Sequence, residues 1–245
     1  MAGNNGSSMT VSVVVPVKDE VGNVAALARE IAAAMAREPD HEIVFVDDGS
    51  SDGTTEALAA LKNQIPYFRP LRHARNLGQS RGIDTGVKAA RGEIIVTLDG
   101  DGQNDPADIP ALLAKLRADP SLGMVSGVRV KRQDTASRRI ASRIGNRFRN
   151  AMLGDGATDT GCGLKAFRRE LFLAFPYFNH MHRYLIALAL REGQGVAYVP
   201  VNHRPRMAGQ SKYTNLGRLI VSIHDMLGVR WLQRRHGGAV KVEEL

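Results

Sequence analysis

A chain of 245 residues with 43% hydrophobic and only 5% aromatic content can bury one large core or two modest ones, and suits an α/β enzyme better than a β-sandwich. Its single cysteine, Cys162, excludes an intramolecular disulfide and points to a reducing cytoplasm. The net charge of +8 is concentrated: residues 129–149 carry eight Lys or Arg against one acid, Asp134, which favours a local anionic partner over nucleic acid.

Residues 1–9 read as a disordered tail without the apolar core of a signal peptide, and no apolar run reaches the length of a membrane span. VSVVVPV (11–17), EIVFVD (42–47) and EIIVTLD (93–99) are continuous apolar runs, as strands buried on both faces require. Weaker strands are expected at 66–73 and 122–128. Helical spacing at 22–37, 53–63, 78–91 and 106–117 separates them, so the prediction is a parallel, doubly wound sheet. In the second half, 135–153 reads as a basic helix, 161–172 as a strand entering a short helix, 182–193 as a helix and 195–201 as a strand. A polar loop (202–213) and a long amphipathic helix (215–234) follow. One domain over 10–213, with a C-terminal helix and basic tail at 214–245, accounts for this pattern.

Ligands of such sheets bind beyond the carboxyl ends of the strands. Three acidic clusters fall there: Lys18-Asp19-Glu20, the VDDGSSDGT run with Asp47, Asp48 and Asp52, and LDGDGQ with Asp99 and Asp101. Each alone is an ordinary turn or helix cap; their placement on one rim is the signal. A calcium loop counted from Asp99 fails, because Asn104 and Pro110 stand where Gly and Glu are required. A D-x-D turn suits Mg²⁺ or Mn²⁺ held by one or two carboxylates, with coordination left for phosphate oxygens. Asp105, followed by Pro106 at a helix start, reads as an N-cap.

The motifs VVVPVKDE, IVFVDDGSSDGT, RNLGQS, LDGDGQNDP, DTGCGLKAFRR and RMAGQSK occur in that order. Through them the chain resembles a family 2 glycosyltransferase of GT-A fold, in the polyprenyl-phosphate (dolichol-phosphate mannosyltransferase-like) branch, over residues 10–213. The resemblance implies a Rossmann-like, mostly parallel sheet flanked by helices, with amphipathic helices facing the membrane. It implies a nucleoside pocket at Pro16, Glu20, Val46 and Asp48, and a metal and diphosphate site at Asp99, Asp101 and Gln103 with Mg²⁺ or Mn²⁺. Arg129 would face the acceptor phosphate, and Arg206 and Lys212 would close over the donor diphosphate. The chain departs from the family in having Lys18-Asp19 where an aromatic and Asn are frequent, and Arg81-Gly82-Ile83 where small residues are usual.

A sugar-hydroxyl acceptor needs a general base, usually Asp or Glu. The stretch where relatives with saccharide acceptors carry an acidic pair reads FPYFNHMHRYL here, without a carboxylate. A phosphate monoester is already anionic near neutral pH. The expectation is therefore inverting transfer of one sugar from a GDP- or UDP-sugar to a polyprenyl phosphate. A saccharide or protein acceptor is the alternative, and a non-catalytic anion- or membrane-binding module the third reading. Arg139, Arg143 and Arg147 flank an apolar stripe (Ile140, Ile144, Phe148, Met152), a pattern suited to anionic headgroups and to the acceptor phosphate, or to plain core packing. The expected setting is peripheral, on the cytoplasmic face of a membrane, alone, as a homodimer or with a membrane-protein partner.

Overall fold

The computed structural model describes residues 10–38, 40–130, 145, 147–205 and 215–238, with side chains of the last stretch from 221 onward. The expectations for 1–9, for Arg139, Arg143, Arg206 and Lys212, and for most of the basic helix lie outside the described residues.

Strand β1 (Val11–Val17) is buried at every position and forms the sheet's pivot. It pairs in parallel with β2 (His41–Asp47) on one side and β4 (Ile94–Thr97) on the other. The order is β3-β2-β1-β4-β6-β5-β7, with β3 at Phe68–Arg72, β5 at Leu122–Arg129, β6 at Lys165–Arg168 and β7 at Gly195–Val201. After β3 the chain crosses to the other side of β1, so the switch point lies between β1 and β4. This is where an open α/β sheet leaves a crevice.

The continuous apolar runs follow from burial on both faces. Val11, Val13, Val15 and Val17 pack with α1 (Val21–Ala34), α2 (Thr54–Leu61) and α4 (Ile109–Ala118), through Leu27, Ile31, Leu58 and Leu112. Val14 and Val44 face the other layer, with Ile83 and Val87 of α3 (Gln79–Ala89). A Cβ at Gly82 would come within 2.8 Å of Pro16 Cβ, and one at Gly86 within 2.3 Å of Val14 Cγ1. The Arg81-Gly82-Ile83 departure thus keeps its small residue where α3 meets β1. Arg81 turns outward to Asp84 and stacks 3.4 Å over the Tyr177 ring.

The sheet is mostly parallel, as expected, with one strand reversed. β6 runs antiparallel between β4 and β5, with Thr97↔Lys165 and Ile94↔Arg168 in register. Parallel neighbours bring strand ends to the rim, whereas this strand begins there, so its first residue stands beside the end of β4. Short α5 (Arg169–Leu173) and α6 (Leu185–Arg191) follow, the latter behind a 3-10 turn at Met181–Arg183. Helix α7 (Asn215–Arg234) packs Met226 and Val229 against Leu153, Tyr184 and Ala187. Among the described residues, no helix is long and apolar enough to cross a membrane.

Candidate active site

The rim is built from three strand ends whose carboxylates are held by backbone and side-chain amide donors. After β2, Asp47 accepts from Ser50 N (2.9 Å), and the buried Asp48 accepts from Leu77 N (2.8 Å) and Gly78 N (2.7 Å). Asp48 also meets His73 Nδ1 at 2.7 Å, and His73 Nε2 lies 2.9 Å from Thr85 Oγ1. Asp48 thereby fixes the RNLG loop in front of α3. After β1, Asp19 accepts from Ser51 N (2.9 Å), and Glu20, at the start of α1, accepts from Asn23 Nδ2 (2.6 Å). Asp52 accepts from Val21 N (3.2 Å) and Thr54 N (3.0 Å), tying the starts of α1 and α2 together. Pro16 and Val46 lie in the sheet beneath Gly82 and Gly86 of α3.

The third loop follows β4. Gln79, the first residue of α3, donates through Nε2 to Asp99 Oδ1 (2.7 Å), so the loop set by Asp48 orients Asp99 in turn. A Cβ on Gly163 would overlap Asp99 Oδ2 at 2.4 Å; only glycine leaves room for that carboxylate. Asp101 Oδ1 accepts from Gln103 N (3.1 Å), and Gln103 O accepts from Arg204 N (2.9 Å). Arg204 also donates to Asp105 Oδ1 and Glu30 Oε2, both at 2.6 Å, and Asn104 bridges His203. Asp105 caps the following turn through Ala107 N (3.0 Å), as its place before Pro106 leads one to expect.

Burial, then the charge of Asp101, pushes the Asp99 carboxyl up to about 6, against the pull of Lys165, Arg129 and the Gln79 hydrogen bond. A carboxyl whose ionisation burial and a neighbouring carboxylate oppose is suited to a divalent cation, and hard oxygen donors match Mg²⁺ or Mn²⁺. No group of three or more His, Cys, Asp or Glu able to hold a metal ion occurs among the described residues. A cation on this pair would therefore complete its shell with ligand oxygens or water, as Mg²⁺ commonly does. The sign of the pH dependence follows. Below the ordinary carboxylate range, Asp99 holds its proton in folded and unfolded chains alike. Ionising it costs folded-state stability, progressively up to about pH 6 and fully above. Thermal stabilisation by Mn²⁺ is expected to be small at about pH 5 and larger at about pH 7.5. A response independent of pH would separate the cation from Asp99.

Beside Asp99 a cavity of about 190 Å³ opens between the end of β4, the turn at 160–163 and the turn before α6. Gln79, Thr160, Lys165, His182 and Arg183 contribute its polar wall, and Ile83, Leu98 and Leu185 its apolar one. Asp99 is the sole carboxylate among the described lining residues. His182 Nδ1 lies 2.6 Å from Ser80 Oγ, and burial first, with neighbouring cations, lowers its pKa to about 3. It is a neutral imidazole and a weak base. Asp159, another carboxylate of this turn, is bound by Arg129 through Nε (2.8 Å) and Nη2 (2.7 Å). Arg129, expected at an acceptor phosphate, here holds the 159–161 turn beside the cavity.

Sequence reasoning passed over Lys165, Gln79 and Arg204. Lys165 opens a strand whose next residues, Ala166 and Phe167, are fully buried. Lys165 is itself 5% exposed, its Nζ donates to the Cys162 carbonyl, and burial lowers its pKa. Of the basic segment, Arg147 is exposed, while Arg149 is buried against Asp155 and lies over the Tyr184 ring (4.8 Å). On α7, Ile223, Leu227 and Trp231 are 38%, 55% and 59% exposed and recur every fourth residue, opposite Met226 and Val229.

Known proteins are similar to this chain in sequence and in architecture. The family described as Glycosyl transferase family 2 matches residues 12–174. Undecaprenyl-phosphate 4-deoxy-4-formamido-L-arabinose transferase of Enterobacter sp. (strain 638) is 37% identical over 219 residues, 89% of this chain. The protein of the same name in Yersinia pestis (strain Pestoides F) is 36% identical over 219 residues. The chain spans 66% of the length of each. Mannosyl-3-phosphoglycerate synthase from Rubrobacter xylanophilus superimposes with a TM-score of 0.69 at 19% identity, over 93% of this chain and 74% of that one. A mannosyltransferase from Pyrobaculum calidifontis in complex with GDP-Man and Mn²⁺ gives 0.66 at 23%, over 94% and 65%. These structures share the fold: a mixed α/β, mostly parallel GT-A sheet.

Proposed function

The chain belongs to glycosyl transferase family 2, and from that premise we propose that it transfers a single sugar from a nucleoside-diphosphate donor to a polyprenyl phosphate, with inversion. The observation that carries the choice of acceptor is the lack of a free general base among the described cavity residues. Asp99 faces the metal loop, Asp159 is paired with Arg129, and His182 is a neutral, weakly basic imidazole. A hydroxyl acceptor requires such a base; a phosphate oxygen does not.

In this reading the phosphate oxygen attacks the anomeric carbon. The carbon–oxygen bond to the nucleoside diphosphate breaks, and its electron pair leaves with the diphosphate. Asp99 and Asp101, with Gln103 beside them, would hold a divalent cation, which would stabilise the charge developing on the departing diphosphate. Pro16, Glu20, Val46 and Asp48 shape the nucleoside side. Asp48 does so by fixing the loop that presents Gln79 to Asp99. Arg129 fixes the 159–161 turn, and the motif residues Arg206 and Lys212 are assigned to the diphosphate. The test is synthesis: protein, Mn²⁺ or Mg²⁺, polyprenyl phosphate and a panel of UDP- and GDP-sugars should yield a mild-acid-labile glycolipid. Transfer to free saccharides with no lipid product would select the alternative acceptor.

The acceptor lies in a membrane, and α7 offers a surface for reaching one. Ile223, Leu227 and Trp231 form an exposed apolar stripe, with Arg234 and Arg235 exposed at the helix end. Such a helix binds a bilayer by apolar burial and attraction to anionic lipids. This supports a peripheral location on a membrane surface. Leu227→Glu together with Trp231→Glu should reduce co-sedimentation with phosphatidylglycerol vesicles several-fold; undiminished binding would remove α7 from membrane contact.

A further inference from the structure

A lysine inside an apolar layer costs stability unless its charge is used. Lys165 opens β6 and points to the same face as Phe167, since alternate strand residues share a face. That face belongs to the cluster of Ile83, Met181 and Leu185. An ammonium has three donors. Among the described residues, the Cys162 carbonyl oxygen is the hydrogen-bond acceptor that Lys165 meets. The other side of this wall is the cavity, which Lys165 lines together with Asp99 and Arg183. The antiparallel course of β6 is what puts the ammonium there: in register with Thr97, it stands beside the strand end that carries Asp99.

We propose that Lys165 is a ligand-contacting residue whose ammonium takes an anionic phosphate oxygen entering this cavity next to Asp99. This rests on the reaction proposed above and adds a group to it. Two phosphates qualify by chemistry, the donor's diphosphate and the acceptor's monoester, and both bring acceptor oxygens to the donors that Cys162 leaves unused. Within reach of Asp99, such a cation also prevents carboxylate and phosphate from repelling each other when they meet.

The test compares wild type, Lys165→Met and Lys165→Arg at a temperature where all three are folded. The probes are UDP or GDP with Mn²⁺, and geranyl phosphate. Lys165→Met keeps the volume and removes the charge, so the ligand-free protein should melt at the wild-type temperature or higher. Its affinity for one of the two phosphates should fall by roughly 10- to 100-fold, the range of a hydrogen bond to a charged group, with the other little changed. Lys165→Arg should retain part of that affinity. Which phosphate is lost identifies the source of the oxygen. The proposal is overturned if Lys165→Met binds both phosphates as wild type does, or loses both equally, as a collapsed cavity would. It also fails if wild type takes up neither. Wild type that binds phosphate through Lys165 yet forms no glycolipid would leave this proposal standing and remove the reaction.

Discussion

Asp101→Asn is expected to lower the rate of glycolipid synthesis by at least about 10²-fold while leaving the fold intact. An asparagine Oδ1 can still accept the Gln103 N–H that Asp101 accepts at 3.1 Å, so this contact of the loop is kept. What disappears is one negative charge at the cation site. That charge is also a cause of the raised Asp99 pKa, so its removal should ease Asp99 ionisation. Thermal melting without metal should therefore hold or rise. Circular dichroism melts beside initial rates over a Mn²⁺ series would check both halves. Activity retained within a few-fold would take the D-x-D turn out of catalysis.

The largest effect on stability should come from a residue that charge counting places at the surface. Arg149 lies in the basic segment, yet it is buried, with Nε 3.0 Å from Asp155 Oδ2 and the guanidinium over the Tyr184 ring. Arg149→Ala leaves the Asp155 carboxylate buried without its cation, which costs about 3–5 kcal/mol. Asp155→Ala should cost a similar amount for the converse reason. Pairing Arg149→Met with Asp155→Asn should recover part of the loss, because no buried charge is left uncompensated. Urea unfolding of the three variants separates these outcomes; single variants within about 0.5 kcal/mol of wild type would mean the pair is solvated. The consequence for function is direct: Arg149 is committed to the fold and is not part of the surface offered to anionic lipid.

How much of the molecule was legible depended on whether the deciding partner was near in sequence. The buried strands β1, β2 and β4 showed as apolar runs because burial on both faces leaves no polar alternation. The acidic loop after β4 stood out because carboxylates crowded onto one turn repel one another unless a cation or a helix end compensates them. The direction of β6 did not show: KAFR has the same composition whichever way it runs, and its neighbours lie about 70 residues before it and 40 before it. Asp48 was legible as an acid at a strand end, but its partners at Leu77 and Gly78 are some 30 residues on. Arg129 was read as following a strand at 122–128 and is instead the last residue of β5, and its bidentate partner Asp159 is 30 residues away. Lys165 was hidden because a lysine before a short helix reads as surface, and only the sheet makes it interior.

The inserted strand also bears on how the molecule is assembled. β1, β2 and β3 follow one another through helical crossovers and pair in that order, so this part can grow from contacts between sequential neighbours. The wall carrying Gly163 and Lys165 can join only after the chain has looped back between β4 and β5. Pairings of long sequence separation form late and slowly. The β1–β3 part would then be ordered before the cavity exists, and the cavity wall would be among the last regions protected from hydrogen exchange during refolding.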